Sequence, residues 1–329
     1  MDEKKLLKRI KDYENLLALQ PKVEERYLLQ LLGSGSQSFD YRRFKLNRFM
    51  SKNLSIKIIP HFGNCYFNQE LSKVKYVVAS HPYGFDEIFP KLPKDCKIFY
   101  DKTDYWDNRL TTSNDINLIK RANLITCSSE FIYEHLPSKK TLLVENGCDF
   151  SLFPNKNIRK HKRPSAIYVG YPLNKLDVNN IIKLAKENPG IDFYIFCQDY
   201  DKDNKIHIEE YELDKFGNIF WHSPLPYEEI INEIAKCHVG LILLKDDTDW
   251  TKGMFSLKVW DYLKCGIPVY YSNSINYQKY DGKYCFNENK YDIKDVINIK
   301  LDENELNELL EQERWENKFN IILKYYGLI

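Results

Sequence analysis

Apolar runs too short for anything but strands recur along this chain, with helical periodicity between them. RYLLQLLG (26–33), IKIIP (56–60), KYVVAS (75–80), KIFY (97–100), LITC (124–127) and TLLVEN (141–146) each have strand length. A helical stretch lies near 42–51, LIKRAN (118–123) closes another helix, and SSEFIYEHL opens one on a serine cap. Strands separated by helices imply βαβ units and a parallel sheet. The pattern pauses at NKNIRKHKRP (155–164), which is polar and basic, with Ile158 its one large aliphatic residue, and which reads as a solvated linker. It then restarts: AIYVG, VNNIIKLAKENPG, DFYIFC, NIFWH, PYEEIINEIAKC, VGLILL, a helix over 257–265, and IPVYYS as the last clear strand. The chain is therefore expected to be α/β, with two doubly wound domains and a cleft between them. The tail, ELNELLEQERWENKFNIILKYYG, carries a long amphipathic helical pattern.

Composition supports two ordinary domains. The chain has 329 residues, of which 43% are hydrophobic and 14% aromatic, enough to bury sizeable cores. Basic and acidic residues number 48 and 47, so the formal net charge of +1 exerts no global pull on nucleic acid, and any anion must be held locally. No apolar run approaches the roughly 20 residues needed to span a bilayer. MDEKKLLKRIK has no apolar stretch after it, so no secretory signal is read. Residues 4–18 form a helical pattern with Leu6, Ile10, Tyr13 and Leu17 on one face. Such a helix packs on its own domain; the alternative is a peripheral contact with an anionic membrane surface. Eight scattered cysteines without a CxxC read as reduced, buried thiols in a cytoplasmic protein.

The segment TKGMFSLKVWDYLKCGIPVYYS (251–272) concentrates the chemistry. Ser256 is placed to cap a helix whose first turn holds Leu257, Lys258 and Val259, with Asp261 about one turn deeper. Free amides and the positive helix end suit a phosphate, Lys258 adds a full charge, and a carboxylate at Asp261 suits the hydroxyls of a ribose. Gly266 and Pro268 end the helix. The same spacing also fits a capped core helix with a solvated Lys–Asp pair.

KGMFSLKVWDYLKCGIPV resembles the donor-helix signature of the GT-B glycosyltransferases, especially family 4 and its relatives. ENGCDFSLF (145–153), IYVGYPLNKLDVNNIIKLAKENP, FWHSPLPYEEIINEIAKCHVGLILL, YDKTDYWD (100–107) and ERWENKFNIIL resemble further segments of that family, in order, over most of 75–325. The resemblance implies two Rossmann-like domains: 1–157 for the acceptor, 158–312 for a nucleotide-sugar donor, and a helix over 313–329 returning to the first domain. It implies a UDP-sugar donor, or else a GDP-sugar, a glycan or lipid-linked glycan acceptor in surface polysaccharide synthesis, and no required metal. Carried over by position, Ser256, Leu257 and Lys258 would meet the diphosphate and Asp261 the ribose. Trp221, His222 and Ser223 would lie near the base, and Gly170 would let the backbone approach the ligand.

Departures from the family pattern leave the stereochemical course open. The positions of the two glutamates in many family 4 enzymes hold Gly253 and Asp261 here. Tyr171 stands where an arginine is usual after the glycine loop, with Lys175 nearby, and Lys252 could supply charge instead. In the first half, Asp101 and Asp104 follow KIFY and His81 follows KYVVAS. Asp104 and His81 are the catalytic candidates, and Arg42 and Asp86 the acceptor contacts. The segment KDDTD (245–249) imitates the metal motif of GT-A transferases and gives a metal-dependent transferase as an alternative. GSGSQS (33–38) lacks the third glycine of a dinucleotide fingerprint. A non-catalytic nucleotide-sugar sensor or assembly partner of the same fold is the other alternative.

Overall fold

The computed structural model describes residues 27–32, 57–62, 71, 74–80, 82, 85–103, 113–155, 157–170, 175–201, 206–245, 251, 253–272 and 274–325. The helical patterns expected at 4–18 and near 42–51, and the GSGSQS loop, lie outside the described residues. The chain divides into two compact units, Met1–Asn146 with Trp315–Ile329, and Gly147–Arg314.

The first unit holds strands β1 (Tyr27–Leu32), β2 (Lys57–Phe62), β3 (Val74–Ala79), β4 (Lys97–Lys102), β5 (Leu124–Cys127) and β6 (Thr141–Leu143). They form one sheet in the order β2-β1-β3-β4-β5-β6, every neighbouring pair parallel. In β3, Val74, Val77, Val78 and Ala79 are all buried, as a strand covered on both faces requires. Helices α1 (Phe85–Ile88), α2 (Ser113–Arg121) and α3 (Glu130–Glu134) accompany the sheet. Ser129 caps α3 as its sequence implies, its hydroxyl accepting from Ile132 N at 3.3 Å. Lys140 donates to the carbonyls of Lys120 and Ala122 at the end of α2. A buried ion pair, Lys102 Nζ to Asp115 Oδ2 at 2.9 Å, joins β4 to α2, and the Tyr100 hydroxyl donates to the same carboxylate at 2.6 Å.

The second unit holds β7 (Ser165–Val169), β8 (Asp192–Phe196), a short antiparallel pair β9 (Tyr200–Asp201) and β10 (Ile206–His207), then β11 (Ile219–His222), β12 (Val239–Ile242), β13 (Val269–Tyr271) and β14 (Cys285–Asn287). The main sheet runs β11-β8-β7-β12-β13-β14 and is parallel throughout. Its helices are α4 (Val178–Glu187), α5 (Tyr227–Lys236), α6 (Lys258–Lys264), α7 (Ile293–Val296) and α8 (Glu303–Gln312). Alternation along β7 sends Ile167 and Val169 into one core, with residues of α5, α6 and α8. It sends Ala166 and Tyr168 into the other, with residues of α4 and α7. A three-layer, doubly wound unit follows from that period of two.

The expected linker at 155–164 is fastened to the second unit instead. Lys160 Nζ donates to Cys237 O at 2.5 Å, His161 N to Lys236 O at 2.9 Å, and the His161 ring stacks on Tyr194 at 4.5 Å. The division of the chain falls earlier, between Asn146 and Gly147, rather than at 157. The tail resolves into α8, which groups with the second unit, and a last helix α9 (Trp315–Tyr325), which groups with the first. Between them the Glu313 carbonyl accepts from Cys148 N at 2.6 Å, which takes that carbonyl out of a helical ladder. Lys318 on α9 pairs with Glu145 at 3.6 Å. All seven described cysteines are free thiols, five of them buried. No described helix is long and apolar enough to cross a membrane.

Candidate functional site

Strand order locates the site. The chain leaves β7 in one direction through β8 to β11 and in the other through β12 to β14, so the connections after β7 and β12 diverge. Such a switch point opens a crevice at the carboxyl ends of a parallel sheet. The β7–β12 ladder itself covers Val239↔Ala166 and Gly240↔Ile167. Beyond it a side chain from α6 enters: the Tyr262 hydroxyl accepts from Val169 N at 3.2 Å and donates to Leu241 O at 3.1 Å. It satisfies two backbone groups that the parting strands no longer offer each other. The Tyr262 ring rests on Gly240, where a Cβ would come within 2.2 to 2.6 Å of three ring carbons.

Lys258 lies one turn before Tyr262 on the same face of α6 and crosses the end of β7. Its Nζ stands 4.9 Å from the centre of the Tyr168 ring. A Cβ on Gly170 would come within 2.5 Å of the Tyr168 hydroxyl, 2.7 Å of Lys258 Cε and 2.8 Å of its Nζ, so a larger residue there would have to displace the lysine end or the tyrosine hydroxyl. Among the described residues no hydrogen bond or ion pair reaches this ammonium. Burial pushes the amine down to about 8, against the pull of Cys197 and Asp261. A desolvated cation without a direct partner can receive an anion.

The helix start differs in detail from the expected cap. Lys258 is the first helical residue, and Leu257 holds the cap position without a side-chain bond. The Ser256 amide is committed to the Tyr277 hydroxyl at 3.0 Å, and Trp260 N to Leu257 O at 3.1 Å. The Ser256 hydroxyl accepts from Lys258 N at 3.4 Å, and Ser256 O from Val259 N at the same distance. The amides expected to grip a phosphate are thus mostly consumed by a tight first turn, and the charge facing the crevice is the Lys258 side chain. At the other end Gly266 adopts φ +69, with Gly266 N on Leu263 O at 2.9 Å and Ile267 N on Tyr262 O at 3.2 Å, a Schellman closure.

Asp261 sits in a polar cluster that the sequence did not suggest. Its Oδ1 accepts from the Tyr227 hydroxyl at 2.5 Å and lies 3.2 Å from Lys264 Nζ. Lys264 is fully buried and also donates to Tyr227 Oη at 2.9 Å and to the carbonyls of Asp149 and Leu152 at 3.1 and 3.3 Å. Among the described residues no bond falls on Asp261 Oδ2, and the side chain keeps 20% of its surface exposed. Burial raises the carboxyl above its ordinary range, while Lys264 and the Tyr227 hydroxyl pull it back. Lys264 could have been noticed as an (i, i+3) partner on the helix; Tyr227, on α5, carries no local signal.

The remaining candidates divide. Trp221 and His222 belong to β11, the NIFWH strand: Trp221 packs against the core, and His222 stacks on Phe196 at 4.8 Å. Ser223 follows the strand end and is exposed. The Lys175 carbonyl accepts from Lys245 N at 3.1 Å, laying 175–177 along 243–245 beside the switch point. In the first unit Asp101 is buried in β4 and accepts from Thr126 at 2.6 Å, a structural pairing. Both oxygens of Asp86 accept from Asn117 Nδ2, at 3.1 and 3.0 Å. Arg42, His81, Asp104, Tyr171 and Lys252 lie outside the described residues, as do all but the first residue of KDDTD. Among the described residues no three metal-ligating side chains are grouped to hold an ion.

Comparison with known proteins places the fold. No family model matches the chain. A Bacillus subtilis protein named "Putative teichuronic acid biosynthesis glycosyltransferase TuaH" is 23% identical over 217 residues, 58% of this chain and 54% of that protein. The chain thus spans about half the length of the curated relative it matches. Sucrose-phosphate synthase from Thermosynechococcus elongatus superposes with a TM-score of 0.69 at 9% identity, covering 92% of this chain and 98% of that one. The lipopolysaccharide outer core galactosyltransferase WaaB gives 0.61 at 12% identity, with 92% and 100% coverage. Anabaena HepE, solved with UDP, gives 0.56 at 12%, with 91% and 95% coverage. The fold is the GT-B fold of glycosyltransferases.

Proposed function

We propose that this chain is a glycosyltransferase that takes a sugar from a UDP-sugar, held by the second unit, and passes it to a glycan acceptor met by the first. One observation carries the reading: the Lys258 ammonium, threaded over Gly170 at the switch point of the second sheet, with no hydrogen bond or ion pair on it among the described residues. The sequence relative named for teichuronic acid biosynthesis and the UDP bound in the HepE structure support a nucleotide-sugar donor and a surface polysaccharide as product.

In this reading Lys258 binds the diphosphate and stabilises the charge that develops on it as the glycosidic bond breaks. The low-dielectric wall of Tyr168 and the β7 end strengthens that interaction relative to water. Asp261 Oδ2 takes the ribose hydroxyls. His81 and Asp104 are the candidates for meeting the acceptor hydroxyl; Arg42 and Asp86 are candidate acceptor contacts. Ser223 follows β11, two strands from β7, at the carboxyl end of the sheet, and is the candidate contact for the base.

Calorimetric titration with UDP, GDP and CDP tests the donor: UDP is expected to bind most tightly, and absence of binding by all three removes the reading. Slow release of sugar from a UDP-sugar without acceptor then separates an enzyme from a sensor. The glycine at position 253, where many relatives carry a glutamate, is what favours the sensor.

The amine also sets a pH dependence. With its free value near 8, the ammonium is present below that pH and lost above it, and a bound diphosphate raises the value. UDP affinity is therefore expected to be level from about pH 7 to about pH 8, then to weaken by about tenfold per unit toward pH 9.5. Lys258→Arg, which stays charged, is expected to flatten that limb. An identical limb in the arginine variant would assign the titration elsewhere.

A further inference from the structure

We infer that Tyr227 is a positioning residue for nucleotide recognition, clamping Asp261 through one oxygen so that the other is aimed at the ribose hydroxyls. The inference rests on the donor reading above and adds a specificity-determining residue to it.

The geometry is asymmetric. Asp261 Oδ1 is occupied twice, by the Tyr227 hydroxyl at 2.5 Å and by Lys264 Nζ at 3.2 Å, and Oδ2 by no described residue. An aspartate has few torsions, and a carboxylate with one oxygen pinned by two donors from different helices has a single presentation left for the other. Lys264 is itself immobilised by the carbonyls of Asp149 and Leu152, so it cannot follow Asp261 if the carboxylate turns. Asp149 is in turn held by Ser151, its Oδ1 accepting from Ser151 N and its Oδ2 from Ser151 Oγ, both at 2.9 Å. The chain of contacts therefore runs from a fixed loop through Lys264 to Tyr227 and ends on Asp261. Tyr227 acts through its hydroxyl, which also accepts from Lys264 Nζ at 2.9 Å, while its ring lies 5.5 Å from that ammonium; the residue is 38% exposed at the start of α5, so phenylalanine keeps the ring in place and removes only the oxygen.

The occupant of the open oxygen is set by its chemistry. A carboxylate oxygen accepts only, so its partner must donate. On a nucleoside diphosphate whose phosphates lie at Lys258, one turn away, the vicinal ribose hydroxyls are the donors at that reach.

Tyr227→Phe separates the possibilities, measured by titration with UDP and with its 2′,3′-dideoxy analogue. Wild type is expected to prefer UDP by about tenfold or more, one charge-assisted hydrogen bond's worth of discrimination. In Tyr227→Phe the preference is expected to fall to within about threefold, with affinity for the dideoxy analogue unchanged, because only the hydroxyl-dependent part is lost. In an Asp261→Asn background the same substitution is expected to have no effect on UDP, as a residue acting through Asp261 requires. A Tyr227→Phe protein that keeps the full preference for UDP overturns the inference while leaving the donor reading intact. So does an equal loss of affinity for both ligands, which a merely structural role would give. Wild type that binds neither ligand removes the donor reading itself.

Discussion

Lys258→Met is expected to weaken UDP binding by about 100-fold or more while the protein melts no lower than wild type. The binding loss follows from removing a charge-assisted contact to a diphosphate in a partly desolvated site, about 3 kcal/mol. The stability follows from what the amine does without ligand: burial lowers it to about 8, which means that folding disfavours the charged form. The thioether, one atom shorter, keeps an unbranched apolar chain over Tyr168 and Gly170 and has no charge to desolvate. The sign can be checked with pH. A lysine whose folded value lies below its unfolded one leaves the unfolded chain holding more protons across the window between the two, so wild-type stability gains from this group as pH rises from about 8 to about 10.4. Thermal melts at both ends of the window should show that gain in wild type and not in Lys258→Met. Undiminished UDP binding by the variant would take Lys258 out of the donor site.

Gly240→Ala is expected to be the most damaging single methyl in the second unit. The added carbon would come within 2.2 to 2.6 Å of the Tyr262 ring, which is fully buried and cannot swing aside. Displacing that ring also breaks the bonds from Val169 N and to Leu241 O. Overpacking together with orphaned backbone groups amounts to about 3 kcal/mol or more. For a unit of this size that is a fall of roughly 10 °C in melting temperature. Because Tyr262 and Lys258 share a face of α6, UDP affinity should fall with it. The clash is specific to the ring, so Gly240→Ala should be much milder in a Tyr262→Ala background. Equal effects in both backgrounds would mean that the glycine serves some other purpose.

The two sheets were legible because parallel strands buried on both faces are nearly uniform apolar runs, as LITC and VGLI are. The end of α6 was legible because few residues but glycine accept φ +69. The three-residue β14 went unread because CFN lies among polar residues, whereas the equally short β6 and β13 lie in the apolar runs TLLVEN and IPVYYS. The segment 155–164 is mostly exposed, as its charges suggest, but its attachment to the second unit could not be read. Its holds are a carbonyl and an amide some 77 positions away, invisible to any local pattern.

The site divides along the same line. Lys258 and Asp261 were picked out as donor-site candidates by residue type and spacing on one helix. That Lys258 threads over Gly170, that Tyr262 bridges the parting strands, and that Tyr227 grips Asp261 were not, since each joins residues from elements far apart in sequence. Sequence by itself determined the periodic quantities: where strands and helices form, which faces are apolar, and where a helix must stop. Those follow from backbone sterics and from burial acting on neighbours along the chain. Which polar atom meets which was decided only by the tertiary structure, because strand order and crossover handedness choose the elements that become adjacent.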